Sequence, residues 1–192
     1  MEKKLHQRVA ALAAQDGALS IEVWYQDEAR LGLKPIVRRG WARRGQRPVA
    51  ASCTRYDWLY VYGLVHPITG RCYWLILPTV NTSAMSRALA EFARDVGAGP
   101  DKQIVLVVDN AGWHTSHALQ LPPRIQLVFL PAYTPALQPA ERLWPLIREG
   151  VANQAFTDLD ALQTRLVDRC LAVSAAHHLV RASTNFHWLP QC

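Results

Sequence analysis

Little in this chain points to disulfide or zinc chemistry. Cysteine occurs four times in 192 residues, at 53, 72, 170 and 192, with no Cys-x-x-Cys and no paired Cys/His spacing of the zinc type. Neither a disulfide-stapled scaffold nor a zinc module is indicated, and the thiols read as separate and reduced, as in a cytoplasmic protein. Also missing is any apolar stretch near the roughly 20 residues that a membrane span needs. The run over residues 9–14 is short, Ala-rich and followed by Gln15-Asp16, which is not a signal-peptide core with a cleavage site. No internal repeat or low-complexity tract interrupts the chain. Acidic residues are in the minority, 15 against 21 Lys and Arg, giving a net charge of +6 and a pI near 9.4. The basic excess gathers over residues 34–47, so a polyanionic partner is indicated, nucleic acid ahead of an acidic membrane. At 50% hydrophobic residues the chain can fill the core of one domain and is too short for two large ones.

Residues 3–15 read as a short helix stopped by Asp16-Gly17. Residues 21–26 alternate, with Ile21, Val23, Tyr25 and Asp27 on one face, as in a strand running into an acid. Over 34–48 the Gly and Pro punctuation fits an extended arm and a tight turn with exposed arginines. Residues 56–66 and 71–78 are aromatic and β-branched, and Pro67-Ile68-Thr69-Gly70 between them completes a hairpin. Asn81-Thr82-Ser83 caps a helix that runs through Ala84, Leu89 and Phe92 to Gly97 and Gly99. Residues 104–108 are apolar on both faces, as in a central strand covered on both sides. A second short strand follows over 125–130, then a Pro-rich loop to Pro139. A helix opens at Pro139, with a kink or restart expected at Pro145, whose ring clashes with the carbonyl of Glu141. Helices near 158–172 and 175–181 and a tail containing Trp188 close the chain. The expected class is α/β, a mixed central sheet flanked by helices, with residues 1–20 an N-terminal helix and linker and 21–192 the main unit.

Three acids stand out. Asp27 ends the first apolar strand, Asp109 ends Ile104-Val105-Leu106-Val107-Val108, and Glu141 opens a helix. A carboxylate at the tip of a buried strand is costly unless it is paired, hydrogen-bonded or bound to a cation, and a divalent metal site supplies one common cause. Mg²⁺ takes oxygen ligands, one or two carboxylates per ion, and two such ions support in-line displacement at phosphorus. Plainer readings stand beside this one. Asp27 can cap a turn, with Glu28 a competing candidate, Asp109-Asn110 is a common strand-to-turn dipeptide, and Glu141-Arg142 can be a solvated helix face. His114 either supports the site, by contacting phosphate or orienting a metal-bound water, or bonds to backbone at a helix start. Trp113 and Trp144 read as core or loop packing rather than base-stacking platforms. Arg38, Arg39, Arg43, Arg44 and Arg47 either grip DNA phosphates or form a solvated arm, and DNA contact is the favoured reading. His177-His178 receives no function, because adjacent helical residues point apart.

Asp109-Asn110-Ala111-Gly112-Trp113-His114, followed after a strand by Leu130-Pro131-Ala132-Tyr133-Thr134-Pro135-Ala136-Leu137-Gln138-Pro139-Ala140-Glu141-Arg142-Leu143-Trp144, resembles the DDE endonuclease domain of mariner-like bacterial insertion-sequence transposases. The spacing from Asp109 to Glu141 agrees. Gly40-Trp41-Ala42-Arg43-Arg44-Gly45-Gln46-Arg47-Pro48 looks like the family's turn, and residues 186–190 like its usual ending. The resemblance, from about Trp24 onward, implies a ribonuclease H-like fold, cleavage at transposon ends, strand transfer into target DNA, and Mg²⁺ as cofactor with Mn²⁺ able to substitute. Its implied triad is Asp27, Asp109 and Glu141. Its implied partners are double-stranded DNA, at transposon ends and target, and a second copy in a synaptic homodimer. The family's usual Asn before the proline is Gln138 here, which bears on the loop's hydrogen bonding and not on the glutamate. Family members also carry N-terminal helix-turn-helix domains, so end recognition is expected from elsewhere, for instance an upstream reading frame joined by frameshifting. The alternatives are an idle or truncated DDE domain that regulates by binding DNA or a transposase, and a general ribonuclease H-like nuclease.

Overall fold

The computed structural model describes residues 2–15, 20–39, 41, 43–45, 55–132 and 134–189. Its frame follows from the two apolar strands that precede the first two acids. Strand β1 (Ser20–Gly32) lies at the centre of a five-stranded sheet, and strand β4 (Lys102–Val108) runs parallel to it. On the other side of β1 the hairpin of β2 (Trp58–His66) and β3 (Arg71–Leu77) pairs antiparallel, and β5 (Ile125–Phe129) adds in parallel beyond β4. The order is therefore β3-β2-β1-β4-β5, and the sheet is mixed, as expected.

Alternation sends each interior strand's side chains to two faces, and both are covered. On one face Val23, Tyr25, Val61, Val105 and Val107 pack against α4 (Leu143–Glu149) and α5 (Leu159–Ala175), through Leu143, Trp144, Ile147, Leu162 and Leu166. On the other, Trp24, Tyr62, Leu64, Ile104 and Leu106 meet Met85, Leu89 and Phe92 of α2 (Thr82–Asp95). Helix α1 (Glu2–Gln15) adds Leu5 and Val9 to the first core, and the last helix, α6 (His177–Thr184), adds Val180.

Local signals act where they stand. The Asn81 side chain accepts from the Ala84 amide at 2.8 Å to start α2, and Gly97 ends it at φ 72°. The hairpin turn closes at Gly70, φ 74°, where a Cβ would strike the His177 carbonyl oxygen at the start of α6. Asp158 caps α5 by accepting from Ala161 at 2.8 Å.

Two expectations need correction. Asp27 does not end its strand: β1 runs on to Gly32, because pairing with β2 continues to Gly32↔Trp58 after the parallel pairing with β4 has stopped at Tyr25↔Val107. The restart expected at Pro145 falls earlier. A 3₁₀ turn over Pro139–Arg142 gives way to α4 at Leu143, so Pro145 sits in the first turn of a new helix, where its missing N–H leaves no bond unmade. Asp16, Gly17, Cys53 and Cys192 lie outside the described residues. Cys72 and Cys170 are free thiols. Among the described residues no helix is long and apolar enough to cross a membrane.

Candidate functional site

Asp27 sits where β1 outruns β4. Directly across on β2 its partner is Gly63, and into the room left by that absent side chain comes Trp144 of α4, whose Nε1 donates to Asp27 Oδ2 at 2.7 Å. Burial pushes the Asp27 carboxyl up to about 7. The Trp144 hydrogen bond opposes the rise, and the charges of Glu141 and Glu28 add to it. This carboxylate is ionised with difficulty unless a cation approaches.

Asp109 follows the last residue of β4, and the chain then turns into α3, a single turn over Gly112–Thr115. Asp109 Oδ1 accepts from the Ala111 amide at 2.9 Å and from His114 Nδ1 at 2.8 Å. The His114 hydrogen bond holds the Asp109 carboxyl below its ordinary range, against partial burial. Burial of the His114 side chain opposes its charge, but Asp109 and Glu28 outweigh that and raise the imidazole to about 9. His114 Nε2 lies 3.4 Å from Glu28 Oε1, a long contact whose main content is the attraction between the two charges. Glu28 also accepts from Trp113 Nε1 at 3.1 Å. Alternation along β1 turns Glu28 away from Asp27, so the acid that competed with Asp27 in the sequence serves as the second partner of His114.

Glu141 lies exposed on the 3₁₀ turn, after the buried Gln138, Pro139 and Ala140. Gln138 Nε2 donates to the Gln26 carbonyl at 2.9 Å, tying the turn to the residue before Asp27. The longer amide at this position therefore makes a buried hydrogen bond to the strand. Asp27, Asp109 and Glu141 line one cleft of about 420 Å³, together with Asn110, Thr134 and Gln138. Among the described residues no three His, Cys, Asp or Glu side chains gather closely enough to form a ready-made metal cage. A hard ion held by one or two carboxylates, with water and phosphate oxygens completing its shell, needs none. The donor set is all oxygen, and the Asp27 side has acids without a cation, so the residues fit a divalent ion of this kind.

Arg38, Arg39, Arg43 and Arg44 are exposed, and Trp41 among them is fully so. The base of this arm is tied down: the Arg38 amide donates to Asn153 Oδ1 at 2.8 Å, and the Asn153 amide to the Ile36 carbonyl at 2.8 Å. None of the four lines the carboxylate cleft. Arg47 lies outside the described residues. His177 and His178 stand exposed at the start of α6, away from the acids.

Sequence reasoning took Trp113 and Trp144 as packing. Both do pack, but each also donates its indole N–H to a carboxylate, Glu28 and Asp27 respectively. The signal in the sequence was that a buried indole must find an acceptor, and that Trp144 follows Glu141 by about one helical turn.

With this geometry in hand, comparison with known proteins is specific. A family model described as DDE superfamily endonuclease matches residues 22–163. The uncharacterised protein y4pE/y4sA of Sinorhizobium fredii is 40% identical over 108 residues, covering 56% of this chain and 78% of that protein. The insertion element IS630 uncharacterised 39 kDa protein of Shigella sonnei is 26% identical over 139 residues, covering 68% of this chain and 39% of its own length. Among solved structures, the Mos1 mariner paired end complex with Mn superimposes with a TM-score of 0.62 at 15% identity, over 96% of this chain and 59% of that one. The corresponding complex with Mg gives 0.59 at 18% identity, over 96% and 60%. At such identities the likeness speaks for the fold, which is ribonuclease H-like. The chain spans less than two thirds of these solved chains.

Proposed function

From the premise that this chain belongs to the DDE superfamily of endonucleases, we propose that it is the catalytic domain of a transposase, cutting DNA at transposon ends and joining the freed end to target DNA. The observation that carries this reading is the meeting of three carboxylates from separate elements, Asp27 of β1, Asp109 after β4 and Glu141 before α4, on one cleft. In this reading they hold Mg²⁺, with Mn²⁺ able to substitute. Held by these residues, a divalent ion would supply charge stabilisation at the scissile phosphate and activation of the attacking oxygen, a water for hydrolysis or a 3′-hydroxyl for strand transfer. His114 holds Asp109 in place and keeps it ionised. Gln138 fixes the turn that carries Glu141 against β1.

The exposed arginines 38, 39, 43 and 44, with Arg47 beside them in sequence, bind the phosphates of double-stranded DNA, consistent with the net charge of +6. Among the solved neighbours are Mos1 paired-end and strand-transfer complexes, and in this reading the working form is a homodimer holding two ends. Sequence-specific recognition of those ends belongs, in this reading, to a helix-turn-helix domain.

The test is metal-dependent nicking of supercoiled plasmid by the full chain. The wild type should nick in Mn²⁺ and Mg²⁺ and not in EDTA, and Asp109→Ala should be inactive while keeping the wild-type circular dichroism and melting profile. Nicking that survives in Asp109→Ala would reject the site. A wild type that leaves plasmid intact but cuts RNA–DNA hybrids would favour the general nuclease instead.

A further inference from the structure

We infer that Trp144 is a positioning residue that fixes the Asp27 carboxylate, and that the absence of a side chain at Gly63 is what lets it do so. This rests on the reading of Asp27 as a metal-holding carboxylate. The sheet register sets the geometry: Asp27 on β1 pairs with Gly63 on β2, and Gly63 pairs with Trp74 on β3. A Cβ on residue 63 would stand 2.8 Å from Trp144 Cη2, 3.0 Å from Trp74 Cζ3 and 3.3 Å from Leu143 Cδ1. The indole of Trp144 thus occupies the space that a side chain at 63 would take. It is 2% exposed and meets the Trp74 ring edge-on at 6.4 Å. Held in this way, the ring has little freedom to turn, and its N–H points at Asp27 Oδ2.

A tryptophan that only filled space could satisfy its N–H on a backbone carbonyl or a water. Here the acceptor is a carboxylate that lines the cleft, at 2.7 Å, and among the described residues no other side chain donates to Asp27. Tying one oxygen fixes the rotation of the carboxylate and presents the other in a set direction. Asp109 is treated alike, since its Oδ1 takes both the Ala111 amide and His114 Nδ1. Each aspartate therefore has one oxygen engaged by an aromatic-ring nitrogen. Outer donors that orient metal-binding carboxylates are typically worth about 10- to 100-fold in metal affinity or activity.

The experiment replaces Trp144 alone with benzothienylalanine, which keeps the ring shape and removes the N–H, and separately makes Gly63→Ala, which keeps the indole and pushes it from its place. Mn²⁺ binding to the full chain without DNA is read by the electron paramagnetic resonance of free Mn²⁺, and nicking of supercoiled plasmid is followed against Mn²⁺ concentration. The expected result is a Mn²⁺ Kd raised about tenfold or more in the benzothienylalanine protein, cooperative melting at a somewhat lower temperature than the wild type, and nicking partly restored at high Mn²⁺. Gly63→Ala should shift Kd in the same direction; should it fail to fold, the benzothienylalanine protein decides alone. Wild-type Mn²⁺ affinity without the N–H would overturn the inference. Asp27→Ala separates the two readings. If it loses Mn²⁺ binding and nicking while the benzothienylalanine protein keeps both, only the role of Trp144 fails; if Asp27→Ala itself keeps both, the assignment of Asp27 fails.

Discussion

Replacing Asp27 with Asn in metal-free buffer should make the protein more stable, and increasingly so as the pH rises from about 4 to about 7, the two ends of the Asp27 shift. The folded protein raises the Asp27 carboxyl from 3.8 to about 7, chiefly by burial, with Glu141 and Glu28 adding repulsion. Between those values the folded state holds a proton that the unfolded state has released, so stability falls as pH rises through this window. Below it both states are protonated and the side chain contributes nothing; above it the full penalty of a buried, unpaired charge remains. At about 1.36 kcal/mol per unit, a rise of about three units sets a ceiling near 4 kcal/mol. Asp27 lines an open cleft, and water there reduces the effective penalty to roughly 2 kcal/mol. Asn is nearly isosteric and its Oδ1 can still accept from Trp144, so packing is preserved. Urea unfolding in EDTA at several pH values measures the difference through the midpoint. Asp27→Asn should match the wild type near the lower end of the window and exceed it by roughly 2 kcal/mol above the upper end. Millimolar Mg²⁺ should stabilise the wild type and leave the variant unmoved. A difference that is absent, or the same at every pH, would refute the argument.

His114→Gln should have the opposite sign and another window. The folded protein raises His114 from 6.5 to about 9, so the stabilisation is fully present below the lower value and lost as pH rises through the higher one. Because Asp109 is half exposed, the loss in the variant should be about 1–2 kcal/mol rather than the full value of the shift, seen in urea midpoints at pH 6 and absent near pH 10. Replacing Arg43 and Arg44 with Ala should weaken binding to double-stranded DNA irrespective of sequence and lower the slope of log K against log salt by about 0.9 for each phosphate that is no longer neutralised. An unchanged slope in a filter-binding or anisotropy titration would separate the arm from DNA.

Much of the frame was legible because its signals are local. The apolar run of β4, the turn Pro67-Ile68-Thr69-Gly70 and the Asn81 cap each act within a few residues, and each element formed where those residues stand. The end of β1 was not legible, because β2 decides it: residues 27–32 stay extended through pairing with 58–63, which is remote in sequence. The break between the 3₁₀ turn and α4 was half legible, since Pro145 announces a discontinuity but the tie of Gln138 to Gln26 and the burial of Ala140 set where it falls. The three acids could be picked out one by one. Their common cleft depends on the register of β1 with β4 and on the path of the loop after β5, neither of which has a local signature. Least visible was Trp144, whose role depends on an absent side chain on a different strand.

Asp27 and Asp109 carry the same functional group on the same cleft, yet their surroundings divide the work between them. Asp109 has its own cation in His114, stays ionised, and meets solvent with half of its surface. Asp27 has only the neutral Trp144 indole as side-chain donor, is more deeply set, and feels a second acid in Glu141. The unmet demand for positive charge is therefore greatest on the Asp27 and Glu141 side, while on the Asp109 side His114 offsets part of the charge of Asp109 and Glu28. A cation in the cleft would be favoured most by replacing the proton on Asp27, and the ionised Asp109 would be available as a second oxygen donor. Exchanging the two settings, by giving Asp27 a cationic neighbour or depriving Asp109 of His114, would alter this balance without touching any of the three acids. If the cleft holds a cation as proposed, the residues behind the carboxylates, Trp144, His114 and Glu28, should tune its affinity by about 10- to 100-fold.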